Sequence, residues 1–279
     1  MANYGMVIDI NKCNGCYNCF LSCKDEYSGN DYLPFSLALP ESAKPWLVVK
    51  EVERGKCPKV KVDYVPIPCQ QCSNPACLEK SPKGSVYMRP DGIVMIDPEK
   101  AKGRREVVKS CPHRLITWNE EKDVPQKCSF CAHLLDAGWK APRCVEACPT
   151  GALVFGDLDD QDSEVAKLIN ENDTEALSPA FNLAPKVFYL SLPKKMITGE
   201  VVLADRQDIC PADIEVCLNG ESYNRTVKTD YLGDFEFDRL ESNADYTLTI
   251  FHPGYKDVEI KIKMHTDVDV GELLLEPKS

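Results

Sequence analysis

The chain has no apolar run approaching the roughly 20 residues that a membrane-spanning helix needs, so none of its 279 residues is expected to cross a bilayer. It also lacks a secretory start, because "MANYGMVIDI" has neither a basic leading region nor a long apolar stretch. No H-E-x-x-H, no phosphate-binding glycine loop and no nucleophile-base pairing occurs, which leaves this chain without the usual signatures of hydrolytic or covalent catalysis. An excess of positive charge is missing too. The formal charge is -11, and residues 196–279 hold most of it with 18 Asp plus Glu against 8 Lys plus Arg. An acidic surface repels a phosphate backbone, so nucleic acid is excluded as a partner. A soluble, cytoplasmic, non-catalytic chain is the expectation, unless a partner carrying an export signal takes it elsewhere.

Cysteine is what the sequence has in abundance. There are fifteen, and most lie in tight groups between Cys13 and Cys148. Without a secretory start, this density points to metal or redox chemistry rather than a disulfide scaffold. The first group, "CNGCYNCFLSC", places Cys13, Cys16, Cys19 and Cys23 at C-x2-C-x2-C-x3-C, the spacing of bacterial four-iron four-sulfur ligands. Three thiolates at every third residue let one short loop fold around a corner of a cube. A structural zinc site uses two close pairs, so a third cysteine between them argues against zinc.

The other groups are incomplete by themselves. "CQQCSNPACLEKSP" supplies Cys69, Cys72 and Cys77, then Ser81-Pro82 where a Cys-Pro is expected; "CSFCAHLLDAGWKAPRCVEACPTGA" supplies Cys128, Cys131, Cys144 and Cys148-Pro149. A shift of 88 residues lays "VIDINKCNGC" over "MIDPEKAKGR": Ile8, Asp9, Lys12 and Gly15 recur as Ile96, Asp97, Lys100 and Gly103. This internal repeat puts Cys13, Cys16 and Cys19 over Ala101, Arg104 and Val107, and Cys23 over Cys111.

In two-cluster ferredoxins the fourth cysteine of each motif ligates the other cluster. Applied here, the rule gives cluster A on Cys13, Cys16, Cys19 and Cys148, cluster B on Cys128, Cys131, Cys144 and Cys23, and cluster C on Cys69, Cys72, Cys77 and Cys111. A fourth site would be lined by Ser81, Ala101, Arg104 and Val107, none of which supplies a thiolate. All the losses fall on one site, so three clusters are expected beside an empty fourth pocket. Each cube with four thiolates carries about two negative charges; Arg104, Arg105 and Lys109 either offset that charge or form a solvated basic face. His113 and His133 adjoin ligand cysteines but are not needed as ligands, and Cys57, Cys210 and Cys217 are expected as buried packing residues.

The architecture expected is α+β. Residues 1–154 form a double bacterial-ferredoxin-like cluster domain containing the repeat. Residues 155–195 form a connecting arm with one helix, N-capped at Asp162 or Ser163 and apolar at Val165, Leu168 and Ile169. In residues 196–279 the pattern changes to period two, with about seven short runs such as "ITGEVVL" and "YKDVEIKIKM", which indicates a small antiparallel all-β sandwich or barrel, transthyretin-like or Ig-like.

The cysteine motifs, with "YGMVIDINKCNGCYNC" and "GDLDDQDSEVAKL", resemble the iron-sulfur small subunits of dimethyl sulfoxide reductase-family molybdopterin enzymes over about residues 1–195. The resemblance implies electron transfer for a large catalytic subunit carrying molybdenum bis-molybdopterin guanine dinucleotide, in a heterodimer. The family generally carries four clusters in a line, so this chain departs at Ser81, Ala101, Arg104 and Val107. Three clusters with a terminal β domain are similar to the transhydroxylase branch, which moves a hydroxyl between polyhydroxybenzenes. A small subunit of a respiratory polysulfide- or tetrathionate-type reductase is the alternative within the family. A structural metalloprotein serving as a docking module is the alternative of another class.

Overall fold

A computed structural model describes residues 2–206 and 211–278. Along the chain run β1 (Tyr4–Asp9), α1 (Asn18–Tyr27), the hairpin β2 (Val48–Lys56) and β3 (Lys59–Ile67), α2 (Ala76–Glu79), and the hairpin β4 (Val86–Met88) and β5 (Val94–Ile96). Next come α3 (Glu106–Lys109), the hairpin β6 (Thr117–Asn119) and β7 (Val124–Gln126), α4 (Ala132–Asp136), α5 (Arg143–Glu146), β8 (Leu153–Asp157), α6 (Glu164–Glu171) and β9 (Val187–Leu190). The last seven strands are β10 (Lys195–Leu203), β11 (Glu215–Gly220), β12 (Asn224–Lys228), β13 (Asp234–Leu240), β14 (Ala244–Phe251), β15 (Val258–Met264) and β16 (Val268–Leu275).

The chain divides into two compact units, one of residues 1–51 and 64–192, the other of residues 52–63 and 193–279. In the first, β1 is the central strand, antiparallel to β8 and parallel to β9. Met6, Val7 and Ile8 are buried on both faces, which is why this strand reads as a continuous apolar run instead of an alternating one. Helix α6 covers one face: Val165 packs with Val7, Val154 and Leu190. Ser163 is its N-cap, accepting from the Ala166 N–H at 3.2 Å. Residues 155–192, expected as part of a connecting arm, group with this unit because β9 adds a strand to its sheet.

The second unit holds two sheets, β13-β10-β16 and β12-β11-β14-β15. Alternate residues of both, including Ile197 and Val201 of β10, Val216 and Leu218 of β11 and Leu248 and Ile250 of β14, meet in one buried core. The sheets are not wholly antiparallel as expected. Strand β16 returns beside β10 in the parallel sense, matching Ile197 with Val268 and Leu203 with Leu275. Residues 52–63, expected in the cluster-bearing part, belong to this unit instead. The reason is ionic: Arg54 pairs with Asp238 and Lys61 with Glu236, while the Gly55 N–H donates to Asp267 at 3.0 Å. Among the described residues no helix is long and apolar enough to cross a membrane.

Candidate metal centres

Each cysteine motif of the first unit lies on a tight turn that runs into a short helix. Cys13 and Cys16 flank Gly15, whose φ of +69° and whose approach to the Tyr64 ring, 2.6 Å from a built Cβ, leave no room for a side chain. Tyr17, at φ +61°, then opens α1, which carries Cys19 and Cys23. Phe130 and Cys131, at φ +51° and +50°, make the corresponding turn before α4. Cys77 lies on α2 and Cys144 on α5. These backbones turn N–H groups toward sulfur: Gly15 to Cys13, Phe20 to Cys19, Trp46 and Leu47 to Cys23, and Ala152 and Leu153 to Cys148.

The motif cysteines lie near one another, and their electrostatic influence also runs between groups, from Cys19 to Cys144 and from Cys69 to Cys128. Cys13, Cys16, Cys19 and Cys148 lie close enough for their charges to act on one another. The same holds for Cys23, Cys128, Cys131 and Cys144. Cys69, Cys72, Cys77 and Cys111 act on one another and together line a single cavity with Pro75, Ile116 and Lys127. Burial, reinforced by neighbouring thiols, pushes Cys19, Cys23 and Cys72 up to about 12. Cys148 differs: burial acts upward, but the Thr150 hydroxyl and the N–H groups of Leu153, Thr150 and Ala152 outweigh it and hold the thiol below its ordinary value. Cys19, Cys23, Cys131 and Cys144 are buried, Cys16 is exposed and the other motif thiols are half-buried; such thiols with backbone N–H donors around them fit four-iron four-sulfur clusters, and loading would displace thiol protons.

The repeat is visible in the backbone. Asp9 Oδ1 accepts from the Asn11 N–H at 3.0 Å, and Asp97 Oδ1 accepts from the Glu99 N–H at 3.0 Å. Lys12 pairs with Asp9 and Lys100 with Asp97, each three residues apart. Gly15 and Gly103 share positive φ, +69° and +73°. The fourth position, however, is filled and not an empty pocket. Ala101 and Val107 are fully buried among Val86, Val94, Ile96 and Ile116. Arg104 points outward, 56% exposed, and Ser81 Oγ lies 3.5 Å from Ser110 Oγ. Arg105 pairs with Glu120 and stacks on Trp118, and Lys109 is exposed, so this basic stretch is a solvated face.

Three side chains around the thiols escape a reading of the motifs. Lys127 is buried, its ammonium donating to the carbonyls of Val94 and Cys128, the latter at 3.0 Å. Gln71, fully buried at φ +44°, bridges the same two residues, donating to the Cys128 carbonyl at 2.9 Å and accepting from the Val94 N–H at 2.8 Å. Tyr27 is buried and directs its hydroxyl to Cys131. The one sequence signal was Lys127 itself, a lone cation between Pro125 and Cys128. His133 sits against Tyr32, ring centroids 3.9 Å apart, with Nε2 2.9 Å from Glu26, and His113 packs edge-on against Phe181. Cys57 is exposed at the β2–β3 turn and Cys217 half-buried, contrary to the expected packing role; Cys210 lies outside the described residues.

Comparison with known proteins places these features in context. The model of the 4Fe-4S dicluster domain family matches residues 60–158. The small subunit of pyrogallol hydroxytransferase from Pelobacter acidigallici is 36% identical, over 99% of this chain and 100% of its own length. The iron-sulfur subunit of a putative dimethyl sulfoxide reductase from Halobacterium salinarum is 34% identical over 68% of this chain and 80% of its own. A tetrathionate reductase subunit from Salmonella typhimurium is 33% identical over 70% and 75%.

Proposed function

The chain belongs to the family of iron-sulfur electron-transfer subunits of molybdenum oxidoreductases, and from that premise we propose that it carries three four-iron four-sulfur clusters for a large hydroxyl-transferring subunit. That partner would hold molybdenum bis-molybdopterin guanine dinucleotide and act on polyhydroxybenzenes of the pyrogallol type, in a cytoplasmic heterodimer. The count is supported by one observation: Cys111 lines the same cavity as Cys69, Cys72 and Cys77, although it lies more than 30 residues further along the chain. The full-length match to the hydroxytransferase subunit extends through the terminal β unit, whereas the tetrathionate and dimethyl sulfoxide reductase relatives match 70% and 68% of this chain. This difference favours the transhydroxylase branch over a respiratory reductase.

Loaded clusters would supply one-electron storage and relay. The chain's own residues hold the sites. Cys13, Cys16, Cys19 and Cys148 would ligate the first, Cys128, Cys131, Cys144 and Cys23 the second, and Cys69, Cys72, Cys77 and Cys111 the third. Buried neighbours such as Ile10, Tyr27 and Phe130 exclude water, and the directed N–H groups stabilise charge on sulfur. The double ferredoxin-like part would be the unit of residues 1–51 and 64–192. The β unit that includes residues 196–279 would be a transthyretin-like sandwich given to packing or partner contact.

Iron and labile sulfide, measured on the anaerobically purified complex and corrected for the partner, should give about 12 irons per copy, against about 16 if a fourth cube forms. Dithionite reduction should produce electron paramagnetic resonance signals. A silent spectrum would leave only the structural, docking role.

A further inference from the structure

Lys127 presents a problem of charge. Its side chain sits in a residue only 5% exposed, and its ammonium is held by two carbonyls. Among the described residues no carboxylate pairs with it. A buried ammonium held by neutral dipoles alone is costly, and proteins ordinarily neutralise such a charge with a counter-ion. The described residues provide none here. What Lys127 faces instead is the cavity lined by Cys69, Cys72, Cys77 and Cys111. The carbonyl of Cys128 ties the same ammonium to the neighbouring thiol set, and Cys69 and Cys128 act on each other electrostatically.

The exposed cations of the repeat do not compete for this role. Arg105 is spent on Glu120, and Arg104 and Lys109 face solvent. Gln71 fixes the geometry by clamping Val94 and Cys128, the residues that receive the ammonium.

We propose that Lys127 is the built-in counter-charge of the cluster held by Cys69, Cys72, Cys77 and Cys111, and that it makes this cluster the more easily reduced. This rests on the three-cluster reading. A cube with four thiolates carries about two negative charges and gains another on reduction, so a fixed cation beside it stabilises the reduced form more than the oxidised. Lys127 acts through its charge on the cluster and is not itself a ligand.

The test is a redox titration of the full complex, followed by electron paramagnetic resonance, on wild type, Lys127→Met and Lys127→Arg. The potential belonging to this cluster is the one that disappears in Cys111→Ala. In Lys127→Met its reduction equilibrium should shift at least tenfold toward the oxidised form, which is about 59 mV for one electron. The cluster of Cys13, Cys16, Cys19 and Cys148 should stay in place, and Lys127→Arg should restore the wild-type value. An unmoved potential in Lys127→Met with full iron overturns the proposal. Should Lys127→Met fail to retain the cluster, Lys127→Gln and Lys127→Arg decide: iron kept only with arginine supports the counter-charge, and iron lost with both overturns it. The wild-type iron count tests the three-cluster reading separately.

Discussion

Ala101 and Val107 pack in one apolar cluster, both with no exposure to solvent, at the positions where the internal repeat carries Cys13 and Cys19. The half of the repeat that lost its thiols gained a hydrophobic core in their place. Cys77 and Cys111 lean on the edge of that core, so it supports the neighbouring thiol set as well as filling its own space.

Val107→Ala therefore removes buried methyl groups from a site that cannot collapse freely. A cost of about 1–2 kcal/mol is expected, from the lost transfer energy plus a residual cavity. Ala101→Leu overpacks the same cluster and should cost about 1–3 kcal/mol. Thermal unfolding of the complex should show a lowered midpoint in both. Faster chelator-driven iron loss should follow, because the thiol set rests on this core.

Cys111→Ala removes the thiol that joins Cys69, Cys72 and Cys77 across a gap in sequence. Iron should fall by about four per copy, and the signals of the remaining clusters should persist. Cys57→Ala is the control, since that thiol is exposed at a hairpin turn, and its iron content should equal wild type. An unchanged iron content in Cys111→Ala would refute crossed ligation for this set.

Much of this was legible because ligand spacing is a local code. The C-x2-C-x2-C-x3-C run fixes a loop and a helix start, and the repeat at Asp9 and Asp97 rebuilds the same turn with the same side-chain acceptor. The period-two runs after residue 195 likewise mark strands whose alternate side chains share a core. What escaped depends on non-local partners. Nothing near residues 52–63 in sequence announces Asp238, Glu236 or Asp267 as their partners. The parallel return of β16 beside β10 joins segments more than 60 residues apart. Likewise, a lysine beside a cysteine looks exposed until the fold buries it under Val94.

Gly55 is expected to resist substitution. Its φ is +86°, and a Cβ there would lie 2.2 Å from the Lys59 carbonyl oxygen, a backbone atom that cannot swing away. Gly55→Ala combines left-handed strain with a main-chain clash, and should cost more than about 1 kcal/mol. Hydrogen exchange should quicken in the hairpin formed by residues 48–67 while the β11–β14 ladder keeps its protection.

The pairing of Arg54 with Asp238 supplies a prediction about pH. Arg54 is 8% exposed in its side chain and Asp238 29%, and the guanidinium also donates to Asp63 and to the Lys194 carbonyl at 3.2 Å. Burial alone would raise the Asp238 carboxyl. The Arg54 guanidinium and the Arg239 N–H overcome this and hold it below the ordinary 3.8. A carboxyl depressed by folding contributes stability that is fully present above its unfolded value and is lost only as pH falls through the folded one. Asp238→Ala leaves a buried guanidinium with one carboxylate fewer and should cost about 2–4 kcal/mol. That penalty should be the same at about pH 5.5 and about pH 8.5, because Asp238 stays ionised and Arg54 charged throughout. Hydrogen exchange over Asp234–Leu240, compared between the variant and wild type at the two pH values after correction for intrinsic rates, measures it. A penalty that fades between them would mean that another titrating group, and not this ion pair, ties residues 52–63 to β13.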